Sequence, residues 1–211
     1  MSTLKELVDT VAYNIGKQTD YTAQQAIKLA AISSYAMWMR RDYDKTGMFR
    51  ASSIKAICMD TVSAAITECC SSPINCKIIK TSSVVPKPIS VKDRLDFEYV
   101  GAIDKSNPFG YITPSQIAYI NTDRFSKGLP LYTYMNDLIY MFNVPKSLKQ
   151  IEVRLVPANP LQLDGLQKCN GGCFSLDEDI YLEEDLLPLV KNDIYRELNL
   201  VLKEDTEITV E

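Results

Sequence analysis

The chain has 211 residues, 46% hydrophobic and 24% charged, which suits one folded core of ordinary size with an appendage. It contains no histidine, which excludes Ser-His-Asp and Cys-His catalysis within one chain and any His-based zinc or iron site. The net charge of −4 is unevenly spread: Ser175 to Glu211 carry 12 acids and 3 bases, while the preceding residues carry 15 acids and 20 bases, so a mildly basic body bears an acidic C-terminal arm.

Taken in chain order, the first 70 residues read as helices. Leu4, Leu7, Val8, Val11 and Ile15 fall on one helical face, and Gly16 is a stop. Thr22 and Gln25 have capping-box spacing and open a second helix. Ala23, Ala26, Ile27, Ala30, Ser34 and Met37 share one side of it, small enough for another helix to approach, and it ends between Asp42 and Gly47. Ser53 caps an expected third helix with Ile54, Ile57, Cys58, Thr61, Ala65 and Cys69 on a face, closed by Ser71, Ser72 and Pro73.

The pattern then turns to strands. Residues 77–85 are rich in β-branched side chains, and Pro86 and Pro88 impose an extended linker. Residues 95–103 read as a strand, 107–110 as a turn, 112–121 as ambiguous with a short helix from Pro114 in view, and 126–128 as a turn. Residues 131–142 read as a hairpin about Asn136-Asp137. Ile151, Val153 and Leu155 then alternate with Glu152 and Arg154, one set inward and the other outward, which completes an antiparallel meander. After a loop, Pro188 sits in the first turn of a closing helix with Glu183, Glu184 and Asp185 at its N-terminus.

The expected fold class is α+β, an N-terminal helical bundle joined by a C-terminal helix, plus an antiparallel β-sheet subdomain. The expected divisions are 1–76 helical, 77–160 β, 161–182 loop, 183–203 C-terminal helix and 204–211 acidic tail. MSTLKELVDT lacks a secretory core and no apolar run reaches membrane-spanning length. The expectation is therefore a soluble protein made in a cytoplasm, with its six cysteines as free thiols and no membrane contact.

Candidate chemistry is thin. Cys169-Asn170-Gly171-Gly172-Cys173, with Cys69, Cys70 or Cys76, invites a four-thiolate zinc reading, but the Cys-x3-Cys spacing is not a tight knuckle, and a glycine loop with incidental thiols is preferred. Acid pairs such as Asp177 and Asp179, or Glu183 and Glu184, suit helix capping and solvation better than catalysis. Arg40-Arg41, flanked by Asp42 and Asp44, reads as a helix-end ion-pair cluster rather than a nucleic-acid stack. No catalytic residue, metal ligand or cofactor is expected.

Three segments together resemble a family: STLKELVDTVAYNIG with YTAQQAIKLAAISSYAMWMRR, then LYTYMNDLIYMFNVPKSLKQIEVRLVPANP, then LDEDIYLEEDLLPLVKNDIYREL. Their order is similar to that of head-to-tail connector proteins of podovirus-type phages, and especially of ring proteins of crAss-like phages. The resemblance implies a virion neck component assembled in the host cytoplasm. It would form a ring of identical subunits, commonly twelve, docked on the portal protein and on other neck or tail proteins. Double-stranded DNA would pass through it during packaging and ejection without sequence-specific binding. It also implies that the C-terminal region meets the portal, here through Leu187, Val190, Ile194, Leu198, Val201, Leu202, Ile208 and Val210. The competing reading is an intracellular regulatory or nucleic-acid-associated adaptor that depends on thiols or zinc.

Overall fold

A computed structural model describes residues 2–64, 78–91, 94–95, 97–105, 107–120, 127–145, 147–175, 181–182 and 185–207. Strand β1 (Ser2–Thr3) runs into helix α1 (Leu4–Asn14). A capping box opens α1: Thr3 Oγ1 accepts from the Glu6 amide at 3.2 Å, and Glu6 Oε2 accepts from the Thr3 amide at 2.9 Å. Helix α2 (Tyr21–Thr46) is capped by Asp20 instead of the Thr22–Gln25 pair. Asp20 is extended and its carboxylate accepts from the Ala23 amide, which leaves Thr22 already inside the first turn. Gly47, left-handed at φ 76°, closes α2.

The expected third helix is overturned over its first half, and its second half, with its expected stop at Ser71, Ser72 and Pro73, lies outside the described residues. Its first half is strand β2 (Lys55–Ser63), an interior strand of a seven-stranded sheet; Ala65 and Cys69 lie outside the described residues. Ile54, Ile57, Cys58 and Thr61 have helical spacing. However, Ile57, Cys58 and Met59 are buried in succession, the pattern of a strand covered on both faces.

The remaining strands are β3 (Ile78–Thr81), β4 (Ser90–Val91), β5 (Arg94–Leu95), β6 (Phe97–Ala102), β7 (Gly110–Tyr111), β8 (Leu131–Met135), β9 (Leu138–Phe142), β10 (Gln150–Leu155) and β11 (Tyr181–Leu182). Helix α3 (Leu187–Glu207) follows. The large sheet runs β6-β10-β2-β3-β9-β8-β7 and is antiparallel except at β7–β8. It is not a meander in chain order: β8–β9 is the expected hairpin, but β10 lies between β2 and β6. The ambiguous stretch becomes a 3-10 helix at Pro114–Tyr119, with Gln116 Oε1 accepting from the Thr113 amide at 3.0 Å. In the hairpin, Asn136 and Asp137 both take positive φ, 52° and 59°, as a tight two-residue turn between twisted strands requires.

β2 joins two half-sheets. Its residues 55–60 pair with β10, and Thr61–Ser63 pair with β3 on the other side. Where β3 ends, the segment after β10 takes over that side: the Cys58 amide donates to the Gln167 carbonyl at 3.0 Å, and Ile57 bridges Lys168. β9 is apolar at every position because both its faces are covered. Ile139 and Met141 face one cluster with Ile57, Val153 and Leu155; Tyr140 and Phe142 face a second with Ile78, Ile117 and Leu131.

The helices bury a separate core on α2, formed by Leu7, Val11, Ile27, Ala31 and Met39 with Val190 and Ile194 of α3. The proline-rich linker attaches this layer to the sheet. The Ile89 amide donates to the Val156 carbonyl and the Ala158 amide to the Lys87 carbonyl, both at 2.8 Å, and Ile89 and Val91 pack under α2.

Candidate assembly surfaces

The apolar stripe of α3 is divided by its packing. Val190 and Ile194 are fully buried against α1 and α2, and Leu187 and Leu198 are half-buried on the same cluster. Those two buried side chains hold α3 to its own chain. Val201 and Leu202 lie on α3 with side chains outside the described set, and Ile208 and Val210 lie outside the described residues. So do Asp177, Asp179, Glu183 and Glu184.

Polar contacts fix where α3 sits. Asp193 Oδ2 accepts from Ser34 Oγ at 2.8 Å and from Trp38 Nε1 at 2.7 Å, both on α2. Asn14 Nδ2 of α1 donates to Tyr195 Oη at 2.7 Å. The Arg50 guanidinium reaches Asp42 at 2.9 Å and Asp185 at 2.7 Å, joining the end of α2 to the start of α3. The hydrogen bonds that Arg50 donates, to Asp185 first and Asp42 second, hold it charged well above its ordinary range, and Arg50 in turn lowers the Asp185 carboxyl. Asp42 thus answers Arg50 in place of the expected cluster with Arg40 and Arg41. Arg41 instead lies over the Trp38 ring, 4.7 Å from its centre.

On the sheet, Glu152 departs from its expected outward position. It is 3% exposed, and Arg154 Nε lies 2.6 Å from its carboxylate. That pairing compensates the buried charge, and Arg154 also lies over the Tyr99 ring. Tyr99 donates to the Ala102 carbonyl at 2.9 Å, and burial is the main cause raising its pKa. The free-thiol expectation also fails at two positions: Cys58 of β2 and Cys169 are joined in a disulfide, with Cα atoms 4.8 Å apart. This removes both from zinc chemistry and pins the 165–174 loop to the sheet. Cys173 is an exposed thiol, and Cys69, Cys70 and Cys76 lie outside the described residues. Among the described residues, no group of three or more cysteines or carboxylates converges on a metal position, and no helix is long and apolar enough to cross a membrane.

Two groups of exposed apolar side chains stand out among the described residues. One is the outer side of α2, where the expected small-residue face splits: Ile27 and Ser34 are buried, while Ala26 and Met37 are exposed beside Leu29. The other is the β7 end of the sheet, with Tyr111, Tyr119 and Leu129 exposed. A helix apolar on more than one side was the available signal for the first.

The family described as phage tail ring protein 2, from crAss-like phages, matches residues 6–211. No curated protein matches the chain.

Proposed function

The chain belongs to the phage tail ring protein 2 family, and from that premise we propose that its ring sits in the neck, at the junction of head and tail. The family is one of structural tail components, not of enzymes, and a ring protein associates with copies of itself. The finer reading is a head-to-tail connector: a ring, commonly twelvefold, that docks on the portal through its C-terminal region. It joins the portal to other neck or tail proteins and lines the passage for double-stranded DNA.

The observation that carries this reading is the charge split. An arm with 12 acids and 3 bases follows a body with 15 acids and 20 bases. Acids facing a lumen repel phosphates, so DNA slides without being held, and the basic body gives an unlike surface for neighbouring proteins. α3 supports a C-terminal docking role because Val190 and Ile194 anchor it to the helical layer as a rigid base.

Electron microscopy of particles carrying a labelled copy of the chain tests the reading. The expected image is a ring immediately below the portal. A ring elsewhere along the tail would remove the connector role and leave the tail-ring role intact. Replacing C-terminal acids with lysine is expected to slow genome ejection; unchanged ejection would argue against an acidic passage.

A further inference from the structure

Cys173 belongs to the same small hairpin that the Cys58–Cys169 bridge pins to β2. Gln167 and Cys173 are direct partners across this hairpin. They are flanked by two hydrogen bonds, from the Phe174 amide to the Leu166 carbonyl at 2.8 Å and from the Lys168 amide to the Gly172 carbonyl at 2.9 Å. The antiparallel Ile57–Lys168 bridge sets Cys58 opposite Gln167, and β10 sets Glu152 opposite Cys58 on the other side. Directly opposed residues share a face, so Glu152, Cys58, Gln167 and Cys173 form one row on one face of the sheet. Ile57, Leu166 and Phe174 pack together on the other face, as alternation requires.

Cys169 stands two residues beyond Gln167, diagonal to Cys173. Diagonal positions across an antiparallel pair are about 7–8 Å apart, and a disulfide needs Cα atoms about 4.4–6.8 Å apart. The small difference falls on the turn Asn170-Gly171-Gly172. Both glycines have positive φ, 93° and 78°, and apart from chain neighbours no heavy atom lies within 4 Å of where a Cβ would sit. The turn can therefore contract without displacing packed side chains. Burial sets the balance between the two possible bridges. Cys58 is 8% exposed, whereas Cys173 is an exposed thiol. A free thiolate is better solvated at position 173 than at position 58, where the Glu152 carboxylate, itself paired with Arg154, stands opposite. The Cys58–Cys169 arrangement is thus the major one, and Cys173 is the thiol placed to open it.

We propose that Cys173 is a resolving thiol that exchanges the bridge between two arrangements, one with the loop pinned to β2 by Cys58–Cys169 and one with the loop closed on itself by Cys169–Cys173. The Cys173 thiolate attacks Cys169 Sγ. A new Sγ–Sγ bond forms between Cys173 and Cys169, the bond to Cys58 breaks, and Cys58 leaves as a thiolate. Solvent then returns to Cys58 the proton that Cys173 gave up. One disulfide and one thiol stand on each side of the step, so it consumes neither oxidant nor reductant. In the second arrangement no covalent bond holds the loop against β2. The exchange is a property of this loop and does not depend on where the ring sits.

Two measurements on the full chain test it. In the first, the disulfide-bonded protein is held near the ordinary thiol pKa of about 8.5, then quenched in acid, alkylated with N-ethylmaleimide and mapped by mass spectrometry of its peptides. The expected result is a minor population with Cys169 linked to Cys173 and maleimide on Cys58, absent from Cys173→Ser. Cys58–Cys169 as the sole bridge to Cys169, or Cys169 linked to Cys69, Cys70 or Cys76, would overturn the inference. In the second, reduced glutathione opens the bridge in the wild-type chain and in Cys173→Ser, a substitution at an exposed position that leaves the bridge intact. Attack through the exposed loop bridge is expected to make opening about tenfold faster in the wild type. Equal rates would also overturn the inference, because the buried Cys58–Cys169 bridge would then open without help from Cys173.

Discussion

The sheet and the helical layer are finished in different ways. In the sheet, β9 is buried on both faces, β2 has a neighbour on each side, and the Cys58–Cys169 disulfide ties the loop back onto the centre. In the helical layer, one apolar core lies between three helices, polar contacts hold the rims, and one side of α2 remains bare. Burial on two faces lets apolar contacts dominate the sheet, with the Glu152–Arg154 pair and the disulfide set into it. The helices have apolar surface to spare and use directional bonds from Asp193 and Arg50 to fix how α3 sits. The difference predicts that truncation inside the doubly covered sheet costs more than truncation on the outer side of α2.

The largest test of that contrast is in the sheet. Phe142→Ala removes a fully buried ring at the middle of the second sheet cluster and is expected to cost about 3–5 kcal/mol, read by chemical denaturation. The exposed change Leu29→Ala on α2 is expected to cost less than about 0.5 kcal/mol. Comparable losses from the two would break the comparison.

Next in size is the disulfide. Cys169→Ala is expected to destabilise the chain by about 2–4 kcal/mol, because the bridge closes a loop of 111 residues in the unfolded chain. Hydrogen exchange is expected to rise first at the amides of Lys168, Gly171 and Phe174, which bond within the pinned loop. Exchange that rises first in α3 would show that the bridge does not act locally.

Asp193→Ala removes the acceptor for Ser34 and Trp38 and is expected to cost about 1–3 kcal/mol. Trp38 is the single tryptophan, so its emission reports this change directly. An unshifted emission spectrum would mean the indole does not depend on Asp193.

The smallest effect concerns Asp185. Its folded pKa is depressed by Arg50, so the stability it contributes is present above its ordinary value of 3.8 and lost as pH falls through the folded value. Asp185→Asn is expected to lower the melting temperature slightly at neutral pH, with the gap closing in acid and in high salt. A gap that persists in acid would rule out the Arg50 ion pair as its source.

Legibility in the sequence followed the range of the interactions. α1 and α2 were plain from local periodicity, as was the β8–β9 hairpin from its Asn136-Asp137 turn. Residues 55–63 were misread because isoleucines and cysteine at spacings of three and four fit a helix face and a doubly buried strand equally well. Glu152 was read as outward because alternation assigns faces without saying whether the polar face meets water. Arg154, two residues along the same strand, lets the carboxylate stay inside.

By itself the sequence determined the α+β class, the position of the closing helix, the acidic C-terminal arm and the absence of histidine chemistry, because composition, periodicity and capping act within a few residues. Tertiary structure alone decided that β2 lies between β10 and β3, that Cys58 meets Cys169 across 111 positions, and that Val190 and Ile194 face inward. Those outcomes depend on pairings between distant segments. No local pattern encodes them, because many pairings satisfy the same alternation and only the competition to bury apolar surface selects one.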